Sequence, residues 1–292
     1  MNKKIIYLIF GVFVTVMLVT TACDKIEPPY MEDNGGGVIA DTVRKVLFED
    51  YTGHECVNCP SAHKTLEDLH NVYGDRLIVI AEHIGYFAEP RPAPFDYDFR
   101  TSEGTEMSTF FGASAAPLPK GMVNRKKING SYLIDKGEYG SAISLAIDSM
   151  PVLPDIYIQL SATYNSTDSL IGVEVKLTAL TNLLAGKYNL SVLATESKII
   201  QPQKNNDPNI GNVPEIDDFE HNHVLRGAIN TTWGEEITNG VITKGQTFTK
   251  SYSSYKIGND WNPDNIHIVA FVYYADGSND KVVIQAEQID LR

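Results

Sequence analysis

Three hydrophobic patterns follow one another along the chain. From Ile5 to Val19 nearly every position is apolar, with Lys3 and Lys4 before it and the small residues Thr20-Thr21-Ala22 after it. The next pattern mixes buried-strand and helical periods. Val43 to Tyr51 reads as a mostly buried strand, and Leu77-Ile78-Val79-Ile80-Ala81 as a second. Between them Ala62, Leu66, Leu69 and Tyr73 recur at helical spacing. Pro60 suits the first turn of that helix and Gly74 stops it. The spacing predicts a helix opening at Cys56 and a strand–helix–strand unit, with a last helix from Asp135 to Met150 carrying Ile143, Leu145, Ala146 and Ile147. Beyond Pro151 and Pro154 the period becomes two. Strands are predicted at 155–162, 171–177, 187–193, 224–229, 246–255, 266–274 and 282–289, with Asp276-Gly277 as a hairpin turn before the last.

These patterns divide the 292 residues into 1–22, a signal peptide; 23–40, a tether; 41–150, an α/β domain with a central mixed sheet flanked by helices; and 151–292, an all-β sandwich. Positive residues, an apolar run and small residues make up a secretory signal, and Cys23 stands where the run stops. Together these residues resemble a bacterial lipobox, with Thr20 three residues before the cysteine. The resemblance implies lipidation of Cys23 and attachment to the membrane through that anchor. An uncleaved membrane-spanning helix is the other reading of a run close to the ~20 residues needed to cross a bilayer. In both, the rest of the chain lies outside the cytoplasm. Asp24 to Ala40, with Pro28-Pro29 and Gly35-Gly36-Gly37, shows no hydrophobic period and reads as the tether.

Composition adds one exclusion. Net charge is −13, and so acidic a surface repels phosphate backbones, which excludes nucleic acid as an expected partner. The three cysteines are too few for a disulfide-stapled scaffold. With Cys23 assigned to lipid, Cys56 and Cys59 remain, spaced C-x-x-C at a strand-to-helix turn. A helix N-terminus favours a thiolate, so Cys56 is the expected nucleophile and Cys59 the resolving thiol, with no cofactor required. His54 and Glu55 would pull the Cys56 pKa in opposite directions. Two other readings stay open: a disulfide that only braces the turn, and a copper or zinc site from Cys56, Cys59 and His63, three soft ligands spaced along one helix face. In the last part of the chain the polar run Glu215 to His223 reads either as a solvated loop entering a strand or as a cation site. Gln201 to Pro208 before it reads as a long surface loop.

The first domain resembles the thioredoxin superfamily. Asp50, six residues before Cys56, matches that family's buried carboxylate, and Phe111-Gly112-Ala113-Ser114-Ala115-Ala116-Pro117 matches its cis-proline segment. The resemblance implies that Asp50 exchanges the proton, and that Pro117 (or Pro119) packs against the cysteines as the cis residue. Glu55 stands where the family usually has tryptophan, and Pro90, Pro92 and Pro94 mark residues 84–110 as an inserted loop. The second domain is expected to be an immunoglobulin-like sandwich. The whole chain resembles the outer membrane protein 28-related family of Bacteroidetes lipoproteins. The carrying residues are Cys23, the block Tyr51 to Pro60, the block His221 to Arg226, and Trp233-Gly234-Glu235. This implies an outer-membrane lipoprotein, facing the periplasm or the surface. The expected function is thiol–disulfide exchange on envelope or secreted proteins. The alternatives are a non-catalytic binding or adhesion lipoprotein built on the same scaffold, and a copper or zinc carrier.

Overall fold

The computed structural model describes residues 42–149 and 151–292. The expected signal peptide, the expected lipidation site Cys23 and the expected tether therefore lie outside the described residues. The first half contributes β1 (Val46–Thr52), α1 (Cys59–Tyr73), β2 (Leu77–His83), α2 (Ser102–Phe111), β3 (Lys120–Val123) and α3 (Tyr139–Asp148). The second half is all strand: β4 (Ile156–Asn165), β5 (Leu170–Ala179), β6 (Leu183–Glu196), β7 (Ile199–Lys204), β8 (Glu215–His221), β9 (Val224–Ala228), β10 (Glu235–Ile242), β11 (Thr247–Lys256), β12 (Ile266–Tyr274) and β13 (Val283–Asp290). Among the described residues, no helix is long and apolar enough to cross a membrane.

β1 and β2 pair in parallel, and β3 runs antiparallel on the other side of β1. All seven residues of β1, and all seven of β2, are buried, as expected for strands covered on both faces. Alternation along β1 separates two environments. Val46 and Phe48 point with Leu77 and Val79 into a core closed by α1 and α3, through Ala62, Leu66, Tyr139 and Ile143. Leu47 and Tyr51 point the other way, into a core shared with Met107 and Phe111 of α2 and with Leu193, Val269 and Phe271 of β6 and β12. Burying one such aliphatic or aromatic side chain contributes about 1.5–3 kcal/mol. By the same alternation Asp50 belongs to the α1 face and Glu49 to the α2 face.

The strands expected to form a separate sandwich are divided between sheets. β4, β5 and β11 form a three-stranded sheet in the order β11-β5-β4. β6, β9, β12 and β13 instead continue the sheet of the first half, in the order β13-β12-β6-β9-β2-β1-β3, with β10 also on β6. The join is a short parallel contact at Ala81 and Val224, where the Ala81 amide donates to the His223 carbonyl at 2.8 Å. Residues 42–292 accordingly form one compact unit. Burial explains the join: the β6–β12 ribbon is apolar on both faces. One face packs on the three-stranded sheet through Leu190, Val192 and Ile268, and the other through Leu193, Val269 and Phe271 on the α2 core.

Three local expectations are corrected. The helix opens at Cys59, not Cys56, with Asn58 as its N-cap residue. The inserted loop holds α2 within its last part, started by the Thr101 hydroxyl, which accepts from the Gly104 amide at 2.9 Å. The surface loop expected at Gln201 to Pro208 includes the end of β7, which pairs with β8 as an isolated two-stranded hairpin.

Candidate functional site

The site forms where β1 stops. Thr52 ends the strand, and a tight turn returns the chain through Cys56, whose amide donates to the Gly53 carbonyl at 3.0 Å. The Cys59 amide donates in turn to the Cys56 carbonyl at 3.1 Å. Gly53 is required here by close approach, since a β-carbon would sit 2.5 Å from the Phe87 carbonyl oxygen. Cys56 and Cys59 are joined as a disulfide with a 2.08 Å S–S bond. Cys56 is 3% exposed and Cys59 fully buried. Cys59 is the first residue of α1, so the partial positive charge of that helix end falls nearest Cys59, with Cys56 three residues outside it.

Asp50 occupies the α1 side of β1 and is fully buried. Its Oδ1 accepts from the Tyr139 hydroxyl at 3.0 Å. Burial pushes the Tyr139 phenol well above its ordinary pKa, so Tyr139 stays a donor. Gly121, opposite Asp50 on β3, leaves the space this requires: a β-carbon there would meet Phe48 at 2.2 Å and Tyr139 at 2.6 Å. On the other side His63, one turn beyond Cys59, brings Nε2 to 3.2 Å from Asp50 Oδ2 and 3.0 Å from Thr52 Oγ1. The Thr52 contact has hydrogen-bond geometry; Asp50 Oδ2 is left without a hydrogen-bond partner. A pocket of about 360 Å³ opens from this point between α1, β2 and the β8–β9 segment, lined among others by Asp50, His63, Phe219 and His223.

The proline expectation is corrected. α2 ends at Gly112, which takes the left-handed conformation (φ 83°), and the cis bond that follows is Leu118–Pro119, so the cis residue is Pro119 and not Pro117. Pro119 directly precedes Lys120, which pairs with Tyr51. The cis residue thus sits at the end of β1 from which the cysteine turn springs.

The β7–β8 hairpin lies over that turn. Gln203, fully buried, donates its side-chain amide to the carbonyls of Cys56 (3.0 Å), Lys204 (3.0 Å) and Gly53 (3.3 Å). The Lys204 amide donates to the His54 carbonyl at 2.8 Å, and the Asn206 amide to the Val57 carbonyl at 3.2 Å. Glu55 joins the same clamp, with Arg91 at 3.0 Å and Lys204 at 3.3 Å. Burial pushes the Glu55 carboxyl up, but the hydrogen bonds from Arg91 and Lys204 outweigh it and hold the group below the usual carboxylate range. Burial pulls the His54 pKa down, and its Nε2–H donates to the Glu89 carbonyl at 3.2 Å. His54 is therefore neutral near pH 7 and lends Cys56 no positive charge, while the Glu55 charge is already paired.

Gln203 is the contact that sequence reasoning missed, hidden in a Pro/Asn-rich stretch. Replacing Gln203 with alanine is expected to leave buried carbonyls unpaired at a cost of about 1–3 kcal/mol. If the hairpin opens locally, the same change should speed reduction of the Cys56–Cys59 disulfide by dithiothreitol roughly tenfold. Thiol counting after acid quench measures it, and an unchanged rate would show that Gln203 does not hold the cover shut.

The polar run Glu215 to His223 does not assemble a cation site. His221 turns inward, its Nε2–H donating to the Gln201 carbonyl at 3.3 Å, and packs on Phe99 and His83 with ring centroids 4.5 and 5.4 Å away. His83 stacks on Phe99 at 4.4 Å. Burial lowers the pKa of both histidines well below the ordinary value. The set Cys56, Cys59 and His63 is not brought together as ligands either: the sulfurs are bonded to each other, and His63 Nε2 is turned to Thr52 and Asp50. Among the described residues, no three His, Cys, Asp or Glu side chains are placed to hold a metal ion.

The fold and site define a mixed α/β protein with a C-x-x-C disulfide at the start of a helix and a carboxylate buried under that helix, held by Tyr139 and His63. The chain belongs to the family described as outer membrane protein Omp28, whose model matches residues 107–291. That description makes the chain one of a family of outer membrane proteins. The match begins after the cysteine turn, so Asp50, Cys56, Cys59 and His63 lie outside it. Among solved structures the chain is similar to HBP35 of Porphyromonas gingivalis, at 14% identity and a TM-score of 0.59, over 86% of this chain and 76% of that one. That likeness is one of fold. A domain of the outer membrane lipoprotein Omp28 from Porphyromonas gingivalis is 25% identical over 48% of this chain and 89% of its own, with a TM-score of 0.30. No curated protein matches the sequence.

Proposed function

We propose that this lipoprotein performs thiol–disulfide exchange on envelope or secreted proteins. In this reading residues 41–150 act as a thioredoxin-like unit and the later strands as an immunoglobulin-like body that presents it. The observation that supports it is the Asp50 carboxyl, buried between Tyr139 and His63 on the face that carries α1 and its cysteine. A buried carboxyl is costly, and such groups concentrate where protons are moved.

The chemistry is balanced without a cofactor. A substrate thiolate attacks Cys56 Sγ, the Cys56–Cys59 bond breaks, and its electron pair leaves on Cys59 Sγ, which takes a proton from Asp50. A second substrate thiol, deprotonated, then attacks the mixed disulfide and releases Cys56 as thiolate. The substrate dithiol is oxidised and the protein disulfide reduced; the reverse sequence reduces a substrate disulfide. Val57, Tyr86 and Phe87 remain exposed around the turn and suit an unfolded polypeptide partner.

The burial of both sulfurs favours a second reading, in which the disulfide only braces a binding scaffold. Equilibration with glutathione separates the two. Exchange predicts a potential above about −300 mV and transfer of oxidising equivalents to a reduced protein, lost in Cys56→Ser. A potential below that value with no transfer would leave the scaffold reading standing.

A further inference from the structure

We infer that His63 carries protons between solvent and the buried Asp50 carboxyl when the Cys56–Cys59 disulfide opens and closes. The inference deepens the exchange reading and rests on it for its physiological meaning.

Asp50 borders the pocket but exposes none of its own surface to water. It is fully buried, Tyr139 occupies Oδ1, and Oδ2 has no hydrogen-bond partner although the His63 ring stands 3.2 Å away. Tyr139 cannot supply the proton near neutrality, because burial keeps its phenol protonated. Among the described residues, His63 is the titratable side chain that touches both Oδ2 and the open pocket: its side chain is 19% exposed and lines that pocket beside Asp50. Its Nε2 is held by Thr52 at 3.0 Å. A small ring rotation transfers that hydrogen bond from Thr52 Oγ1 to Asp50 Oδ2. Imidazole is also the side chain whose ordinary pKa suits proton transfer at physiological pH.

The step balances. When the disulfide opens, Cys59 leaves as thiolate and takes the Asp50 proton. The Asp50 carboxylate then takes a proton from the His63 imidazolium at Nε2, and the ring recovers one from water in the pocket. Closing the disulfide reverses each transfer. His63 acts through Asp50 and not on the sulfurs.

The groups facing His63 leave it this role. His83 from β2 and His221 from β8 are held neutral by burial, and His223 is lowered to about 4. Lys64, Glu67 and His70 on its own helix, and Glu220 across the pocket, line the wall without reaching Asp50 within ion-pair distance.

The test follows the protein's own disulfide, reduced by dithiothreitol, with rates corrected for the reagent's thiolate fraction. Wild type is expected to show an inflection in its pH profile. His63→Gln, which keeps a hydrogen-bonding amide, should lose the inflection. His63→Ala should react about tenfold or more slowly at pH 7, the low side of what general acid–base catalysis contributes, and imidazole diffusing into the pocket should restore the rate saturably. A merely structural role for His63 predicts no rescue by imidazole. An unchanged pH profile in His63→Gln, or a slow His63→Ala that imidazole does not rescue, overturns the relay. Should His63→Ala fail to fold, the His63→Gln profile decides alone. Because the readout is the internal disulfide, loss of the relay is distinguishable from failure of exchange with protein substrates, which the glutathione and transfer measurements report separately.

Discussion

Replacing Arg125 with methionine is expected to destabilise the folded unit by about 3–5 kcal/mol, the cost of leaving one half of a buried ion pair uncompensated. Arg125 and Glu49 are both fully buried, with Nε 3.0 Å from either carboxylate oxygen and a third, shorter contact from the other end of the guanidinium. The guanidinium lies among Phe271, Phe111, Trp233 and Tyr273, with centroids 4.7 to 5.9 Å away. Those rings come from both halves of the chain, so the pair sits on the seam that makes one unit. Glu82 stands beside it without a hydrogen bond to either oxygen, and burial, with the Glu49 charge, pushes its carboxyl well above the ordinary value. Glu82 is thus neutral, and the cluster holds one positive and one negative charge. Urea denaturation of Arg125→Met should show a lower midpoint at unchanged m-value. The double variant with Glu49→Gln should recover part of the loss, because the stranded charge is gone. A single variant within about 1 kcal/mol of wild type would contradict the account.

Acidification is the second large effect expected. His83, His221 and His223 are all held neutral by burial, with pKa values below the ordinary 6.5, His223 at about 4. Above 6.5 both the folded and the unfolded chain carry these rings neutral, and the contribution to stability is whole. As pH falls below 6.5 the unfolded chain takes up protons that the folded one refuses, so stability falls until the folded pKa is reached. Each histidine contributes a slope of up to about 1.4 kcal/mol per pH unit inside its window. Glu82 acts with the opposite sign: its raised pKa favours the folded state below 4.5, and that benefit fades as pH rises above it. Where the windows overlap, Glu82 offsets about one histidine and two remain. Stability between pH 6.5 and about 5 should therefore drop, by at most about 3 kcal/mol per unit. His221→Gln should reduce that slope by about one histidine's worth. A urea midpoint that does not move between pH 7 and 5 would show that these rings are not buried in solution.

All seven histidines are accounted for by position: His54, His63, His70, His83, His221, His223 and His267. Sequence singled out His54 and His63 near the cysteines and His221 and His223 in an acidic run, but gave them separate surroundings. The structure brings His63, His83 and His221 to one end of the sheet, where rings pack on rings and on Phe99 and Phe219, while His223 packs on His70 and His267. No local period carries that information, because His63 meets Phe219, and His221 meets His83 and Phe99, across more than 120 positions of the chain. The same limit explains Gln203 over Cys56 and Trp233 over Arg125.

What the sequence determined by itself is local. A run of apolar residues at period one or two can only be satisfied as β1, β2 and the later strands. A helical period closed by Gly74 gives α1, and the C-x-x-C spacing puts two sulfurs on one turn. Asp50 as a buried carboxylate came from the resemblance to the thioredoxin superfamily, through its place six residues before Cys56. Tertiary structure decided the rest: which cysteine sits at the helix end, which proline is cis, that β9 joins β2 so the halves share a sheet, and that a polar hairpin covers the disulfide. Those outcomes depend on what packs against each backbone group and each buried charge, and burial by distant residues is set only when the whole chain closes its core.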